Sequence, residues 1–290
     1  MVVFGDLGFG QSSLVSMKYG ERFRVHRKLT HMGVGLQQVR NYQHLQSDEN
    51  KVVLYDLLSS PESYVGHLER YAASVVSIIG FGRRIQTVTD PIITEVIALM
   101  QHAAELNVPG KSFPMLMETF PCEITLEKCE DVSDSPAVLA KFPNWMAPWK
   151  KGLRRHRGRN FFYALAEEAA TSSEQKDCYA KKLFQEAPKY NLTELELSSL
   201  AGALFGAGSD TSSSTLISFM LACCAFPETI PKAWEEIDRV VGPHRSPAFG
   251  DEPDLVYVKA FVKEVLRWRS VAILGGQPHA PIRDENYKVK

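Results

Sequence analysis

Apolar residues recur at helical spacing through most of the chain, and the periodic runs are separated by Gly, Pro, Asp and Ser signals. Tyr19 to His31 reads as a strongly basic helix, in which Phe23 and Leu29 are outnumbered by Arg22, Arg24, His26, Arg27, Lys28 and His31. Phe23 and Arg27, four apart, share a face. A polar helix from Val34 to Leu57 follows, with Leu36, Val39, Tyr42 and Leu45 on one side. Ser60-Pro61 starts another that runs through Ile79 and stops at Gly80 and Gly82. Asp90-Pro91 repeats the start signal for a helix closing before Pro109-Gly110, with Ile93, Ile97, Met100 and Ala104 at helical spacing. A further helix is expected from the basic run Lys150 to Arg159 to about Ala187. Thr193 and Glu196 form a capping box that opens a run to about Phe226, stopped by Pro227, which spans roughly 50 Å at 1.5 Å per residue. Shorter helices are predicted over Pro231 to Val241 and Leu255 to Trp268, and the tail alternates from Tyr287 to Lys290.

Within the longest run, Ala201 to Thr215 is a poor helix sequence, with Gly206, Gly208, Asp210 and Thr211 in its interior. Glycine costs about 1 kcal/mol against alanine there, and Asp, Ser and Thr compete for backbone hydrogen bonds. Local misfits of this kind concentrate at functional sites.

The 290 residues carry a net charge of -1 and 44% apolar content, ample for a core and without the global field that nucleic acid or a membrane would attract. Cys122, Cys129, Cys178, Cys223 and Cys224 are odd in number and match no zinc or disulfide framework, so a reducing compartment is expected. Cys223 and Cys224 read as small core residues. The start MVVFGDLGFG is not a secretory signal, and Leu216 to Phe226 is too short and too interrupted to span a membrane. Gly110 to Trp149 breaks the helical rhythm with several prolines. Cys122 and Cys129 there, with acidic neighbours, suggest a metal site, but no His completes a ligand set. Lys150 to Arg159, beside Trp145, Trp149, Phe161 and Phe162, suits either a solvated helix start or an anionic membrane surface. No nucleic-acid signature accompanies it.

Two features then combine. Ala207-Gly208-Ser209-Asp210-Thr211 matches an [AG]Gx[DE]T motif in a long helix, and Glu264 with Arg267 forms ExxR on a later one. In that order the pair resembles cytochrome P450. The basic helix is similar to that family's WxxxR segment, with Phe23 in place of tryptophan and Arg27 in the place of the arginine that contacts a haem propionate. His279 matches a position that contacts the other propionate. The phrases KYGERFRVHRK, FPNWM and VKEVLRWR point to the fungal group that oxidises secondary metabolites.

The resemblance implies a mainly α, incomplete cytochrome P450 fold with a long central helix, an ExxR helix and little sheet. Residues 1–290 are expected to form a partial domain, truncated at both ends, with 122–138 as a non-family insert. Joining METFP directly to LAKFPNWM restores a family-like phrase, as a retained intron would explain. The implied activity is haem-dependent monooxygenation of a hydrophobic small molecule with O2, on electrons from NADPH through a cytochrome reductase, at the cytosolic face of the endoplasmic reticulum. Gly208, with Gly206, is expected to let the macrocycle approach the helix. Thr211 is expected to break the hydrogen-bond ladder and hold a water, and Asp210 to feed it protons. Glu264 and Arg267 are expected to form a buried ion pair. The family's FxxGxRxCxG loop, whose cysteine ligates the iron, has no match at any of the five cysteines. The competing reading is therefore a non-catalytic helical product without stable haem binding.

Overall fold

A computed structural model describes residues 13–14, 17, 19–106, 155–172 and 177–272, and side-chain surroundings for these except 99–106 and 155–160. His279, the 122–138 insert, Cys122, Cys129, Trp145, Trp149 and the alternating tail lie outside the described residues. Those described form α1 (Glu21–Val34), α2 (Leu36–Asn41), α3 (Gln43–Ser59), α4 (Tyr64–Phe81), α5 (Pro91–Leu106), α6 (Arg155–Thr171), α7 (Tyr179–Tyr190), α8 (Glu194–Ala225), α9 (Ile230–Val240) and α10 (Val256–Trp268). Short 3-10 turns at Pro61–Ser63, Pro227–Thr229 and Phe249–Asp254 lead into α4, α9 and α10. No strand occurs among the described residues.

The start signals act as expected. Asp90 Oδ1 accepts the Ile92 amide at 2.9 Å, so the Asp-Pro pair caps α5 through its side chain. At α8, Thr193 Oγ1 accepts the Glu196 amide and the Glu196 carboxylate accepts the Thr193 amide, which closes the capping box. Two long helices of the sequence reading are each divided. The run Val34 to Leu57 breaks at Gly35, whose extended ψ of 159° ends α1, and again at Tyr42. Leu36 and Val39, periodic in sequence, are exposed. The helix expected to continue to Ala187 stops at Thr171, and α7 restarts after an extended Cys178. Phe161 and Phe162, beside the basic run, are half-buried against the core.

The helix α8 is the axis of the described structure. It has 32 residues, about 48 Å at 1.5 Å per residue, and packs along α4 and α6 with further contacts to α1, α7 and α10. Ala201 and Phe205 enter one cluster with Phe81, Ile85, Ile92 and Val96, while Leu197 and Leu200 enter another with Leu29, Tyr179 and Leu183. A buried Arg70 staples α4 to α3 through Glu49 (3.1 Å) and Asp56 (3.2 Å) and also donates to the Ile85 carbonyl. The C-terminal half of α8 meets α10 through an edge-on Phe219–Phe261 pair, with ring centroids 5.6 Å apart.

Candidate functional site

The residues of the central motif do not share a face. Gly208 lies against α4, where a Cβ would stand 2.7 Å from Val76 Cγ2. Six residues earlier, a Cβ on Gly202 would stand 2.7 Å from the Phe162 ring on α6. The close approach that glycine permits here is therefore between helices. Asp210, two residues beyond Gly208, is turned by about 200° at 3.6 residues per turn and is exposed, as are Ala207 and Thr211. Ala203 and Gly206 are half-buried. One side of α8 thus carries small residues, a carboxylate and a hydroxyl to the surface, while the sides bearing Gly202, Phe205 and Gly208 are packed.

The polar side chains of this stretch bond back to their own helix. Thr211 Oγ1 donates to Ala207 O at 2.7 Å, Ser209 Oγ to Phe205 O at 3.0 Å, Ser213 Oγ to Asp210 O at 3.0 Å and Thr215 Oγ1 to Thr211 O at 2.8 Å. Satisfying the hydroxyls locally removes the main cost of placing them in a helix interior. The helix runs unbroken through Thr211, contrary to the expected interruption. Its hydroxyl proton is committed to Ala207, and the oxygen lone pairs are left to accept from a water.

Arg27 is exposed on α1. It lines an open recess of about 410 Å3 with Leu14, Lys28, Thr30, His31 and Val34, a cationic rim suited to an anion. The inward side of the same helix carries Arg22, His26, Leu29 and Gly33. His26 and Leu29 are fully buried. Arg22 pairs with Glu196 through Nε and, at 2.5 Å, through Nη2, and donates from Nη1 to Tyr190 O at 2.8 Å. His26 Nε2 lies 3.1 Å from Glu196 Oε1. Because that oxygen is an acceptor, Nε2 carries the proton, and Nδ1 has no partner among the described residues. Burial pushes the His26 imidazolium down, against the pull of Glu196, so the ring is neutral at neutral pH. Burial alone would raise the Glu196 carboxyl, but hydrogen bonds from Arg22, the Thr193 amide and hydroxyl, and His26 outweigh it and hold it at about 2. Sequence reading singled out Glu196 only as a cap. The further signal was the four-residue spacing of Arg22 and His26, which puts both on one side of α1.

Glu264 and Arg267 do pair, through Arg267 Nε at 2.8 Å and Nη2 at 2.5 Å. The pair is not buried: the side chains are 57% and 72% exposed. The only buried residue of α10 is Val265, so the two sit on the opposite, outward side of a helix that packs by one edge. Cys224 is exposed and Cys223 half-buried, not core residues: the buried position of this turn is Ala222.

A flat macrocycle is compatible with the small-residue side of α8 at Ala203, Gly206 and Ala207, flanked by Asp210 and Thr211. Its axial thiolate is not supplied by a described cysteine. Cys178 is buried in the core, where desolvation pushes its thiol up and away from the thiolate form. Cys224 stands fourteen residues beyond Asp210, about 21 Å along the helix axis. Among the described residues no cluster of three or more His, Cys, Asp or Glu is placed to hold a metal ion, and no single helix is long and apolar enough to cross a membrane.

A long central helix with an acid-alcohol pair on its open side is followed by an ExxR helix packed against its C-terminal half. The family model for cytochrome P450 matches residues 3–286, and the chain belongs to that family. It is similar to cytochrome P450 monooxygenase 58 of Postia placenta, 32% identical over 293 residues that make up 99% of this chain and 52% of the relative. Cytochrome P450 monooxygenase polD of Polytolypa hystricis is 32% identical over 285 residues, 96% of this chain and 51% of its own. Cytochrome P450 monooxygenase astF of Aspergillus oryzae is 32% identical over 289 residues, 99% and 51% respectively. The chain spans about half the length of these relatives.

Proposed function

We propose that the chain is the central part of a fungal haem-thiolate monooxygenase that oxidises a hydrophobic small molecule in secondary-metabolite biosynthesis. The observation that carries this reading is the outward side of α8, where Ala207, Asp210 and Thr211 are exposed beside positions that pack on α4 and α6. Bound haem would supply a redox-active iron at which O2 is reduced, with electrons from NADPH through a cytochrome reductase. This chain's residues hold and feed that group. Ala207 and Gly206 leave room for the ring, and Arg27, on its cationic rim, offers a guanidinium to a propionate. Thr211 Oγ1 accepts a hydrogen bond from a water, and the exposed Asp210 carboxylate exchanges protons between that water and solvent. The endoplasmic reticulum surface is the proposed location, by family membership.

The test is a haem titration of the purified chain, followed by reduction and addition of carbon monoxide. Saturable uptake that Ala207→Trp abolishes is expected, since the indole fills the small-residue side. A Soret band red-shifted as a thiolate ligand requires, after carbon monoxide, would show that a cysteine of this chain reaches the iron without the family's loop. Absence of uptake would favour the competing reading, a helical product that does not hold haem.

A further inference from the structure

The helix that carries Glu264 and Arg267 cannot cap itself. Its N-cap position is Leu255, which has no side-chain acceptor. A helix whose first amide donors find no acceptor loses stability at that end. In α10 the acceptor comes from another element. Glu236, in the second turn of the neighbouring α9, takes the Tyr257 amide on Oε1 at 3.0 Å and the Val258 amide on Oε2 at 2.9 Å. One carboxylate thus serves two consecutive donors, and its negative charge meets the positive end of the helix dipole. Tyr257 Oη donates in turn to the Thr229 carbonyl at 3.2 Å, at the start of α9. The Glu236 carboxyl is held below the usual range by the Tyr257 amide, with burial opposing and the Val258 amide and Arg239 assisting.

Two consequences of geometry follow. Bidentate capping of adjacent amides leaves α10 no freedom to slide along its axis relative to α9, since a shift of one residue breaks both bonds. The rest of α10 meets α8 and its C-cap through two aromatic pairs, Phe219 with Phe261 and Phe226 with Trp268, the second with centroids 5.4 Å apart. Aromatic contacts tolerate sliding better than a two-point hydrogen bond does. We propose that Glu236 is the positioning residue of the ExxR helix, fixing where α10 starts on α9 and hence the height at which Glu264 and Arg267 stand beside α8. The functional consequence rests on the haem reading above, whereas the register itself does not.

The experiment compares the wild-type chain with Glu236→Ala, Glu236→Gln and Tyr257→Phe. Amide exchange is followed at Tyr257 and Val258, ring NOEs between Phe219 and Phe261 in a Phe-labelled sample, and haem uptake by titration. Glu236→Ala is expected to speed exchange at both amides by about three- to tenfold, the loss of a helix cap, and to weaken the Phe219–Phe261 NOEs. Glu236→Gln keeps an oxygen acceptor and is expected to restore the NOEs and part of the protection. Tyr257→Phe is expected to retain both, and serves if Glu236→Ala does not fold. Unchanged exchange in Glu236→Ala overturns the cap. Faster exchange with unchanged NOEs overturns the positioning role. Register lost with haem uptake equal to wild type overturns the link to the site, while absence of uptake by the wild type refutes the haem reading and leaves the register to be judged on the NOEs.

Discussion

Removing the Glu196 carboxylate tests how α1 is held on α8. Glu196 is 9% exposed and receives Arg22, His26 and the Thr193 cap at one point. Holding its carboxyl at about 2 against an ordinary value of 4.5 corresponds to about 3 kcal/mol, at about 1.4 kcal/mol per pH decade. Arg22 is 41% exposed, so solvent screens part of its share and about 2 kcal/mol is the working figure. The sign follows from the depressed value. The unfolded chain takes up the proton as pH falls through about 4.5, whereas the folded chain resists until about 2. The stabilisation is complete above about pH 5 and is lost between the two values. In urea denaturation of the chain, Glu196→Ala is expected to lower the unfolding free energy by about 2 kcal/mol at pH 7 and by far less at pH 3. An equal cost at both pH values would refute the electrostatic account and leave only lost packing.

Gly208→Ala is expected to cost about 1 to 3 kcal/mol in thermal or urea unfolding, because its Cβ would stand 2.7 Å from Val76 Cγ2; adding Val76→Ala should recover most of it. Thr211→Val removes a hydroxyl that is exposed and bonded only to its own helix, so unfolding should change by no more than about 0.5 kcal/mol. Any effect of that substitution in a haem-loaded protein is then functional. Arg70→Ala leaves the buried Glu49 with the half-exposed Arg84 as its remaining ion partner and is expected to cost about 1 to 3 kcal/mol. Arg267→Ala is expected to leave the denaturation midpoint of the chain unmoved, since its pair with Glu264 is solvent-exposed.

Much of this was legible because it is local. Thr193 and Glu196 three apart, Asp90 before Pro91 and Pro227 after a long apolar run each act within one turn, and the helices begin and end there. The ExxR spacing likewise ensured that Glu264 and Arg267 would meet. What sequence did not convey is direction and cover. Periodicity puts Leu36 and Val39 on one side of a helix without saying whether anything lies over it, and both are exposed. Gly208 was expected to face a cofactor and faces Val76, because a glycine marks close approach without naming what approaches. The Arg22, His26 and Glu196 cluster joins residues 170 or more apart in sequence, which no local pattern reports. Glu236 capping α10 is illegible for the same reason, since the acceptor belongs to another helix.

The central claim is that α8 turns Ala207, Asp210 and Thr211 toward a haem and Gly208 toward α4. Paramagnetic broadening by iron(III) haem in a methyl-labelled sample tests it most directly. The Ala207 and Thr211 methyl signals are expected to broaden first while the Val76 methyls, behind Gly208, stay sharp. Broadening of Val76 ahead of Ala207, or no selective broadening along α8, would contradict the account.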